Sequence, residues 1–209
     1  MNKKDLAKRL LEEIEELFPN AQTELENWDT PFQFLICIIL SAQTTDKQVN
    51  RVTVELFDKY PTPLELSKAD INEVENIIKG INYYKTKARN IINTANILLK
   101  EYNGEPPRYI GELQKLSGVG YKTANVFLND LYHSNQGIAV DTHVKRVSQL
   151  YGLSKEDDPT KIAKDLEKLF EKEDWYLVNR YFVLYGRYIL KAKKPDMEKV
   201  VMKEYLVLR

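Results

Sequence analysis

Apolar residues recur at the spacing of an α-helix along nearly the whole chain. In residues 5–18, for example, Leu6, Leu10 and Ile14 share one helix face, and Pro19 ends the segment. No segment shows the sustained apolar–polar alternation of a β-strand. The spacing and its flanking cap, glycine and proline residues predict helices at 5–18, 31–41, 45–60, 64–67, 71–78, 83–102 (or 85–102), 110–116, 121–131, 141–151, 159–170, 175–191 and 197–206. We therefore predict an all-α protein.

The segment 31–41 differs from the others because it is apolar on almost all sides. Thr30 supplies a capping hydroxyl and Pro31 suits the first turn, so we expect a helix that begins here and lies buried. Its longest unbroken apolar run, residues 34–40, is too short to cross a bilayer. The N-terminus enters an amphipathic helix directly, with no apolar export segment before it.

The composition fits a globular protein. A length of 209 residues allows one domain or two small ones packed together, and 43% hydrophobic with 30% charged residues is typical of such proteins. Cys37 is the one cysteine, which excludes an internal disulfide and an all-cysteine metal site. The simplest interpretation is an intracellular protein of the cytoplasm or nucleoid, with no membrane association.

Charge is balanced overall but unevenly distributed. Lysine plus arginine and aspartate plus glutamate both number 31. Residues 85–100 hold four basic side chains and no acid, residues 187–209 hold seven against three, and residues 154–174 hold eight acids against five lysines. This pattern indicates one basic and one acidic face, although solvated helix surfaces explain it equally well.

A glycine hairpin lies between two predicted helices, at Gly118-Val119-Gly120. Glycine tolerates a left-handed backbone and lets a phosphate approach, and the next helix begins with N–H groups that favour an anion. A plain tight turn is the competing interpretation. Lys122 two residues later and Asp141 before the helix 141–151 favour a phosphate-binding hairpin beside reactive groups.

These residues carry a specific resemblance. The segments 116–125 (LSGVGYKTAN) and 138–143 (IAVDTH) resemble the signature of the endonuclease III family, the helix–hairpin–helix DNA glycosylases. Three further segments match in the family's order, at 40–46 (LSAQTTD), 85–88 (KTKA) and 185–188 (YGRY). Together the matches run from about residue 31 to residue 195.

The resemblance implies a fold and a mode of DNA binding. It implies two helical domains with a DNA-binding cleft between them. One domain would be a helical barrel at 23–133 that ends with the hairpin, and the other would combine 1–22 with 134–209. Damaged double-stranded DNA is the expected partner, and a monomer is expected because one duplex needs no symmetric partner.

The resemblance also assigns chemistry to two residues. Lys122, when neutral, would attack C1′ of an extruded nucleotide and displace the base, and the resulting Schiff base would permit cleavage on the 3′ side. Asp141 would stabilise the developing positive charge or move protons. Asp141 is also a good N-cap for the helix that follows, and the sequence leaves open whether it serves as cap, as catalyst or as both.

Further residues are expected at the DNA. The resemblance implies phosphate contacts at the hairpin and a residue, Gln43, that fills the gap left by the extruded nucleotide. Tyr83 falls where the family often has an apolar wedge, and it is equally plausible as a packing aromatic. The expected DNA contacts are Gly118, Val119, Gly120, Thr123, Gln43, Tyr83, Arg187, Lys193 and Lys194. The chain departs from the family at Tyr121, where a basic residue is common, and at Ser117, where proline is frequent.

The resemblance makes the C-terminal segment unusual. Many members hold an iron–sulfur cluster with four cysteines spaced C-x6-C-x2-C-x5-C. Here those positions are Leu190, Met197, Val200 and Leu206. No cluster or other metal cofactor is therefore expected, and we predict that the four apolar side chains form a small hydrophobic plug in its place.

The leading hypothesis is a bifunctional DNA glycosylase and AP lyase of base excision repair that acts on oxidised pyrimidines. One alternative keeps the chemistry with another lesion: uracil, mismatched thymine or an oxidised purine. A second alternative is a lesion-binding protein that does not cut, and the presence of both Lys122 and Asp141 argues against it.

Overall fold

The structure, a computed structural model, describes residues 1–19 and 21–207. Within these residues the regular structure is entirely helical, so the predicted all-α class is confirmed. The α-helices are α1 (Lys3–Leu17), α2 (Pro31–Ser41), α3 (Asp46–Lys59), α4 (Pro63–Ser67), α5 (Ile71–Ile77), α6 (Tyr84–Glu101), α7 (Ile110–Leu113), α8 (Tyr121–Tyr132), α9 (Thr142–Leu150), α10 (Pro159–Leu169) and α11 (Trp175–Tyr188). Two short 3-10 helices lie at Lys172–Asp174 and Lys203–Tyr205.

The chain divides into two compact units. Thr23–Leu131 is one unit, and Met1–Gln22 with Tyr132–Arg209 is the other. We call them the central unit and the terminal unit. The sequence predicts two domains, one at 23–133 and one that combines 1–22 with 134–209. This division into domains stays a prediction. Three residues in those ranges, Asn20, Leu208 and Arg209, lie outside the described residues.

Helix α2 is the centre of the central unit, as its apolar sequence predicts. All nine residues from Phe32 to Leu40 are buried, because α2 is packed against α3 and α6. Its start also follows the sequence: the Thr30 hydroxyl accepts a hydrogen bond from the Gln33 N–H (3.2 Å), and Pro31 occupies the first turn. The longest helix, α6, packs on α2, α4 and α5.

The terminal unit is built around α11, which packs on α9 and α1. The crossing with α9 depends on Gly186. A Cβ at this position would lie 2.9 Å from Cβ and 3.1 Å from Cα of His143. Because backbone atoms are in the way, only glycine lets the two helices approach this closely.

The predicted helix at 197–206 is wrong. This segment consists of turns followed by the 3-10 helix, and Met202 has a left-handed backbone (φ 47°). The reason is tertiary: the Val201 N–H donates to the Tyr185 hydroxyl (3.0 Å), and the Val201 C=O accepts from the Tyr151 hydroxyl (2.6 Å). Side chains therefore satisfy the backbone groups that a helix would have paired internally.

The predicted end of α11 at residue 191 is three residues too late. The N–H groups of Ile189 and Leu190 both donate to the Tyr185 C=O, which tightens and ends the helix. The chain then turns, and the Asp196 N–H donates back to the Ile189 C=O (2.9 Å). Residues 191–195 form an exposed loop between these two points.

In the described part of the chain, every helix is too short or too polar to traverse a lipid bilayer.

Candidate active site

The hairpin between α7 and α8 is a compact turn held by α6. The Val119 N–H donates to the Leu116 C=O (3.2 Å), and the Thr94 hydroxyl donates to the Ser117 C=O (2.9 Å). Gly118 has a left-handed backbone (φ 79°), and a Cβ there would lie 2.8 Å from Nδ2 of Asn90. Gly118 is therefore required by both the turn geometry and the packing on α6.

Gly120 differs from Gly118. It does not adopt the left-handed backbone, and no heavy atom lies within 4 Å of the place where its Cβ would be. Neither backbone geometry nor internal packing demands glycine here. Absence of a side chain therefore leaves open surface directly before the first turn of α8, which a phosphate can approach.

Val119 contributes less to this surface than the sequence predicts. Its side chain is buried, and its N–H is already engaged by the Leu116 C=O. The amides of Gly118 and Gly120 remain the hairpin's candidates for a phosphate contact. Val119 instead anchors the turn in the core.

Lys122 occupies the first turn of α8 and is exposed. The helix begins at once after the hairpin, because the Ala124 N–H donates to the Gly120 C=O (3.0 Å). Ala124 and Asn125 point into the core, and Thr123 is half-buried. The buried side of α8 thus fixes the position from which Lys122 reaches solvent.

Asp141 is the N-cap of α9 and is half-buried. Its Oδ1 accepts hydrogen bonds from the N–H groups of His143 (2.8 Å) and Val144 (2.9 Å). The capping interpretation of Asp141 is therefore correct in the structure, and it is compatible with a second role. Lys122 belongs to the central unit and Asp141 to the terminal unit.

Gln43 and Tyr83 are brought together by the backbone of the central unit. Both are exposed and both have a left-handed backbone, with φ of 55° and 59°. Asn82 links them, since its Nδ2 donates to the Gln43 C=O (2.5 Å). Left-handed φ is costly for residues with a side chain, and such strain is commonly found at functional sites. Tyr83 is 68% exposed, so it does not serve as a packing aromatic.

Sequence reasoning missed Lys87, which lies one helical turn after Tyr83. Lys87 is only 6% exposed, and its Nζ donates to Leu40 O (2.7 Å), Ala42 O (2.6 Å) and Thr44 Oγ1 (3.2 Å). Burial lowers the pKa of Lys87 to about 8. The available signal was its spacing, because Lys87 shares the apolar face of α6 with Ile91, which is fully buried.

The predicted basic contacts near the end of α11 lie on two different elements. Arg187 is in the last turn of α11 and is half-buried. Lys193 and Lys194 are exposed in the loop 191–195, and Lys194 has a left-handed backbone (φ 57°). The structure therefore presents two lysines to solvent on a tight loop of the terminal unit.

The four side chains at the cluster positions differ in burial. Leu190 and Val200 are buried in the core of the terminal unit, and Leu206 is partly buried against it. Met197 is 46% exposed and takes no part, because the turn at 196–199 directs it away from the core. Three of the four positions are thus buried or partly buried, and the predicted burial of Met197 is wrong. A plug in place of a cluster stays a prediction.

Polar contacts, which the sequence did not suggest, also hold this segment. The Tyr151 and Tyr185 hydroxyls are 2.8 Å apart, and both bond to the backbone of Val201. Burial raises the pKa of both tyrosines, so the hydroxyls stay protonated and can donate. Arg146 donates from Nε to Leu190 O (2.7 Å) and from its guanidinium to Gly186 O.

These residues do not fit an iron–sulfur cluster. The side chains at the four positions are apolar, and burial raises the pKa of the one cysteine, Cys37 in α2, to about 12. Residues 1–19 and 21–207 contain no group of three or more His, Cys, Asp or Glu side chains placed to hold a metal ion.

Comparison with known proteins places this geometry in a family. Residues 36–172 match the model of the HhH-GPD superfamily base excision DNA repair proteins. The chain is 40% identical to endonuclease III of Synechocystis sp. over 93% of its own length and 88% of the relative's. It is also 40% identical to endonuclease III of Escherichia coli, over 93% and 91%.

A solved structure agrees with these relatives. The endonuclease III–DNA covalent intermediate trapped as an estranged-adenine complex is 40% identical, with a TM-score of 0.91 over 99% of this chain and 96% of that one. Sequence and fold thus agree over nearly the full length. The chain belongs to the endonuclease III family of the HhH-GPD superfamily, the DNA glycosylases with AP lyase activity that act in base excision repair.

Proposed function

We propose that this protein removes oxidised pyrimidines from double-stranded DNA and that Lys122 is its nucleophile. The neutral Lys122 amine attacks C1′, the C1′–N1 bond breaks, and the base leaves with the bonding electron pair and takes up a proton. The Lys122 nitrogen then loses its extra protons and the C1′–O4′ bond breaks, which opens the sugar ring and gives a Schiff base with a free O4′ hydroxyl. The Schiff base acidifies the 2′ proton, whose loss breaks the C3′–O3′ bond and expels the phosphate on the 3′ side as the leaving group. Hydrolysis of the Schiff base then releases Lys122.

The observation that carries this proposal is the sequence of features from Gly120 to Lys122. An open glycine surface is followed at once by the first turn of α8, and Lys122 in that turn reaches solvent. N–H groups at a helix start bind phosphate, which positions the sugar of a nearby nucleotide beside the amine. A lysine that is merely solvated on the surface does not require a glycine with open space around it two residues earlier.

Asp141 has two compatible functions in this proposal. Its Oδ1 already caps α9 through two N–H groups, which fixes the carboxylate in one orientation. A fixed negative charge stabilises the oxocarbenium character that develops at the sugar as the base departs. We propose that Asp141 supplies this charge.

The remaining DNA contacts are of two kinds, to phosphates and to the base stack. The amides of Gly118 and Gly120 with Thr123 bind phosphates, and Gln43 and Tyr83 enter the base stack where the lesion is extruded. Arg187, Lys193 and Lys194 bind phosphates from the terminal unit. Val119 acts through the shape of the turn, since its amide is engaged within the hairpin.

We further propose that the protein acts as a monomer without an iron–sulfur cluster and works in the cytoplasm or nucleoid, where its DNA substrate is. A single cysteine cannot supply four thiolates. The plug of Leu190, Val200 and Leu206 and the tyrosine contacts to Val201 hold the C-terminal segment in place of the metal.

Borohydride trapping tests the proposal. The protein is incubated with duplex DNA carrying an abasic site, and borohydride reduces any Schiff base to a stable covalent adduct. We expect trapping by the wild type and by Lys100→Ala, a matched loss of an exposed lysine, and none by Lys122→Ala. Trapping that persists in Lys122→Ala removes Lys122 as the nucleophile, and DNA binding without trapping in the wild type indicates a protein that does not cut.

A panel of duplexes then identifies the lesion. Each duplex carries one defined base: an oxidised pyrimidine, uracil, thymine opposite guanine, or an oxidised purine. We expect the largest kcat/KM for the oxidised pyrimidine. A larger value for another lesion keeps the Lys122 chemistry and replaces the proposed substrate.

A further inference from the structure

Lys87 has an unusual environment for a lysine. The side chain is almost completely buried, and its ammonium faces two backbone carbonyls and one hydroxyl rather than a carboxylate. A buried ammonium is costly unless its hydrogen-bonding capacity is filled, and a lysine has three N–H donors. All three are directed at one short segment, Leu40–Thr44, which contains Gln43.

This segment needs to be held from outside. It spans the end of α2 at Ser41, and the Leu40 C=O belongs to the group of helix-end carbonyls that lack an internal partner. Gln43 then takes a left-handed backbone, and Asn82 holds its C=O from the other side. Lys87 and Asn82 together fix the backbone on both sides of the Gln43 side chain while that side chain stays exposed.

The same face of α6 also holds the hairpin. Lys87, Asn90 and Thr94 are spaced three and four residues apart, which places them along one side of the helix. Asn90 lies against Gly118, and the Thr94 hydroxyl donates to the Ser117 C=O. Tyr83 precedes the helix at the same end as Lys87. One rigid helix therefore carries Tyr83 and contacts both the Gln43 segment and the phosphate-binding hairpin.

We infer that α6 sets the spacing between the hairpin and the pair formed by Gln43 and Tyr83, and that Lys87 is the residue that positions Gln43. The inference rests on the proposed roles of Gln43 and Tyr83 in the base stack. A gap left by an extruded nucleotide closes again unless a side chain occupies it in the correct register with the gripped phosphate. Lys87 contributes by holding the backbone and makes no contact with DNA.

The inference predicts a loss that depends on the substrate. Lys87→Met keeps the length and packing of the side chain but removes its three hydrogen bonds to the Gln43 segment. We expect base removal from a duplex to fall by about tenfold, the factor that corresponds to one charge-assisted hydrogen bond. Trapping on an abasic site in single-stranded DNA, where no stack has to be filled, stays within about twofold of the wild type. Lys100→Met, an exposed lysine on the same helix, is the matched control and changes neither rate.

A double-mutant cycle separates positioning from general loss of structure. If Lys87 acts through Gln43, then Lys87→Met has little further effect in a Gln43→Ala background. Asn82→Ala provides a second variant at an exposed position, where folding is preserved, and we expect the same selective loss on duplex DNA.

The outcomes distinguish this inference from the proposed function. A wild type that traps neither substrate overturns the proposed function. The inference alone is overturned if the wild type traps but the two variants, Lys87→Met and Asn82→Ala, lose activity equally on both substrates. It is also overturned if neither variant loses activity on either substrate. Additive effects of Lys87→Met and Gln43→Ala on the duplex reaction also contradict it.

Discussion

At the scale of one residue, Asp141 combines an observed helix cap with a proposed role in catalysis. Asparagine caps helices as well as aspartate, so Asp141→Asn keeps the two hydrogen bonds to α9 and removes only the charge. We expect the free energy of unfolding to change by less than about 0.5 kcal/mol. Base removal falls about 100-fold or more, because the developing positive charge loses its counter-ion.

The measurement compares single-turnover base removal with the Kd for the same lesion duplex. We expect the Kd to stay within about threefold of the wild-type value, which is a change in binding free energy well below about 1.4 kcal/mol. Asp141→Ala, which removes cap and charge together, is the contrasting variant and also lowers stability. Equal losses of binding and catalysis in Asp141→Asn would make Asp141 a structural residue only.

Lys87 gives the molecule a pH-dependent stability of predictable sign. Its pKa in the folded state is about 8, whereas an unfolded lysine titrates near 10.4. Between these values the unfolded state binds more protons, so the contribution of Lys87 to the free energy of unfolding rises with pH across this window. We expect the wild type to gain on the order of 1 kcal/mol relative to Lys87→Met between about pH 7.5 and pH 9.5.

Urea unfolding at the two pH values measures this difference. Lys100→Met, which removes an exposed lysine from the same helix, serves as the control at both pH values. A difference between wild type and Lys87→Met that is constant with pH would mean that the ammonium is not desolvated in solution.

At the scale of elements, the two glycines of the hairpin have separable functions. Gly118→Ala must adopt a left-handed backbone and displace Asn90, so we expect destabilisation of about 1–3 kcal/mol. Gly120→Ala meets no atom within 4 Å and should fold normally. Its methyl group nevertheless occupies the surface proposed for a phosphate, so we expect weaker DNA binding, by about tenfold.

Thermal unfolding and a DNA-binding titration on both variants check this pair. The expected result is a lower Tm for Gly118→Ala only, and a raised Kd with unchanged Tm for Gly120→Ala. Unchanged DNA affinity in Gly120→Ala would contradict a phosphate contact at Gly120.

Much of the helical framework is predictable from local sequence, and the contacts that complete the site are not. Thr30 with Pro31 marks the start of α2, and the apolar run after it predicts burial, because capping and hydrophobicity act locally. The error at 197–206 arises because apolar residues at near-helical spacing also suit a loop that packs on a core. From local sequence, Lys87 is expected to be a surface lysine, because its hydrogen-bond acceptors lie more than 40 residues away along the chain.

In the candidate site, too, some features are predictable from local sequence and others are not. Lys122 and Asp141 are proposed from the motif, since the chemistry expected of them depends on residue type and spacing. The engagement of the Val119 amide and the link from Asn82 to Gln43 are products of folding, which spacing alone does not encode. Residue identity therefore predicts the proposed reacting groups, and only the tertiary structure gives the contacts around the other proposed site residues.

At the scale of the whole molecule, the proposal that the C-terminal segment is stabilised without metal predicts that its stability depends on contacts between side chains and backbone. Tyr185 bonds to the Tyr151 hydroxyl and to the Val201 N–H, so Tyr185→Phe removes both hydrogen bonds and leaves the Val201 N–H without its acceptor. We expect a loss of about 1–3 kcal/mol in the free energy of unfolding. Tyr109→Phe removes the same atom at a site that is 69% exposed and should change stability by less than about 0.5 kcal/mol.

Denaturant unfolding of both variants, with and without a strong iron chelator, measures the effect. We expect the chelator to leave the unfolding midpoint of the wild type unchanged, because a tyrosine pair and an apolar plug do not depend on iron. The purified protein should also lack broad visible absorption and stoichiometric iron. The opposite result would be one iron–sulfur cluster per chain and an unfolding midpoint that falls when the iron is chelated. That result would show that metal holds the C-terminal segment and that the contacts to Val201 are secondary.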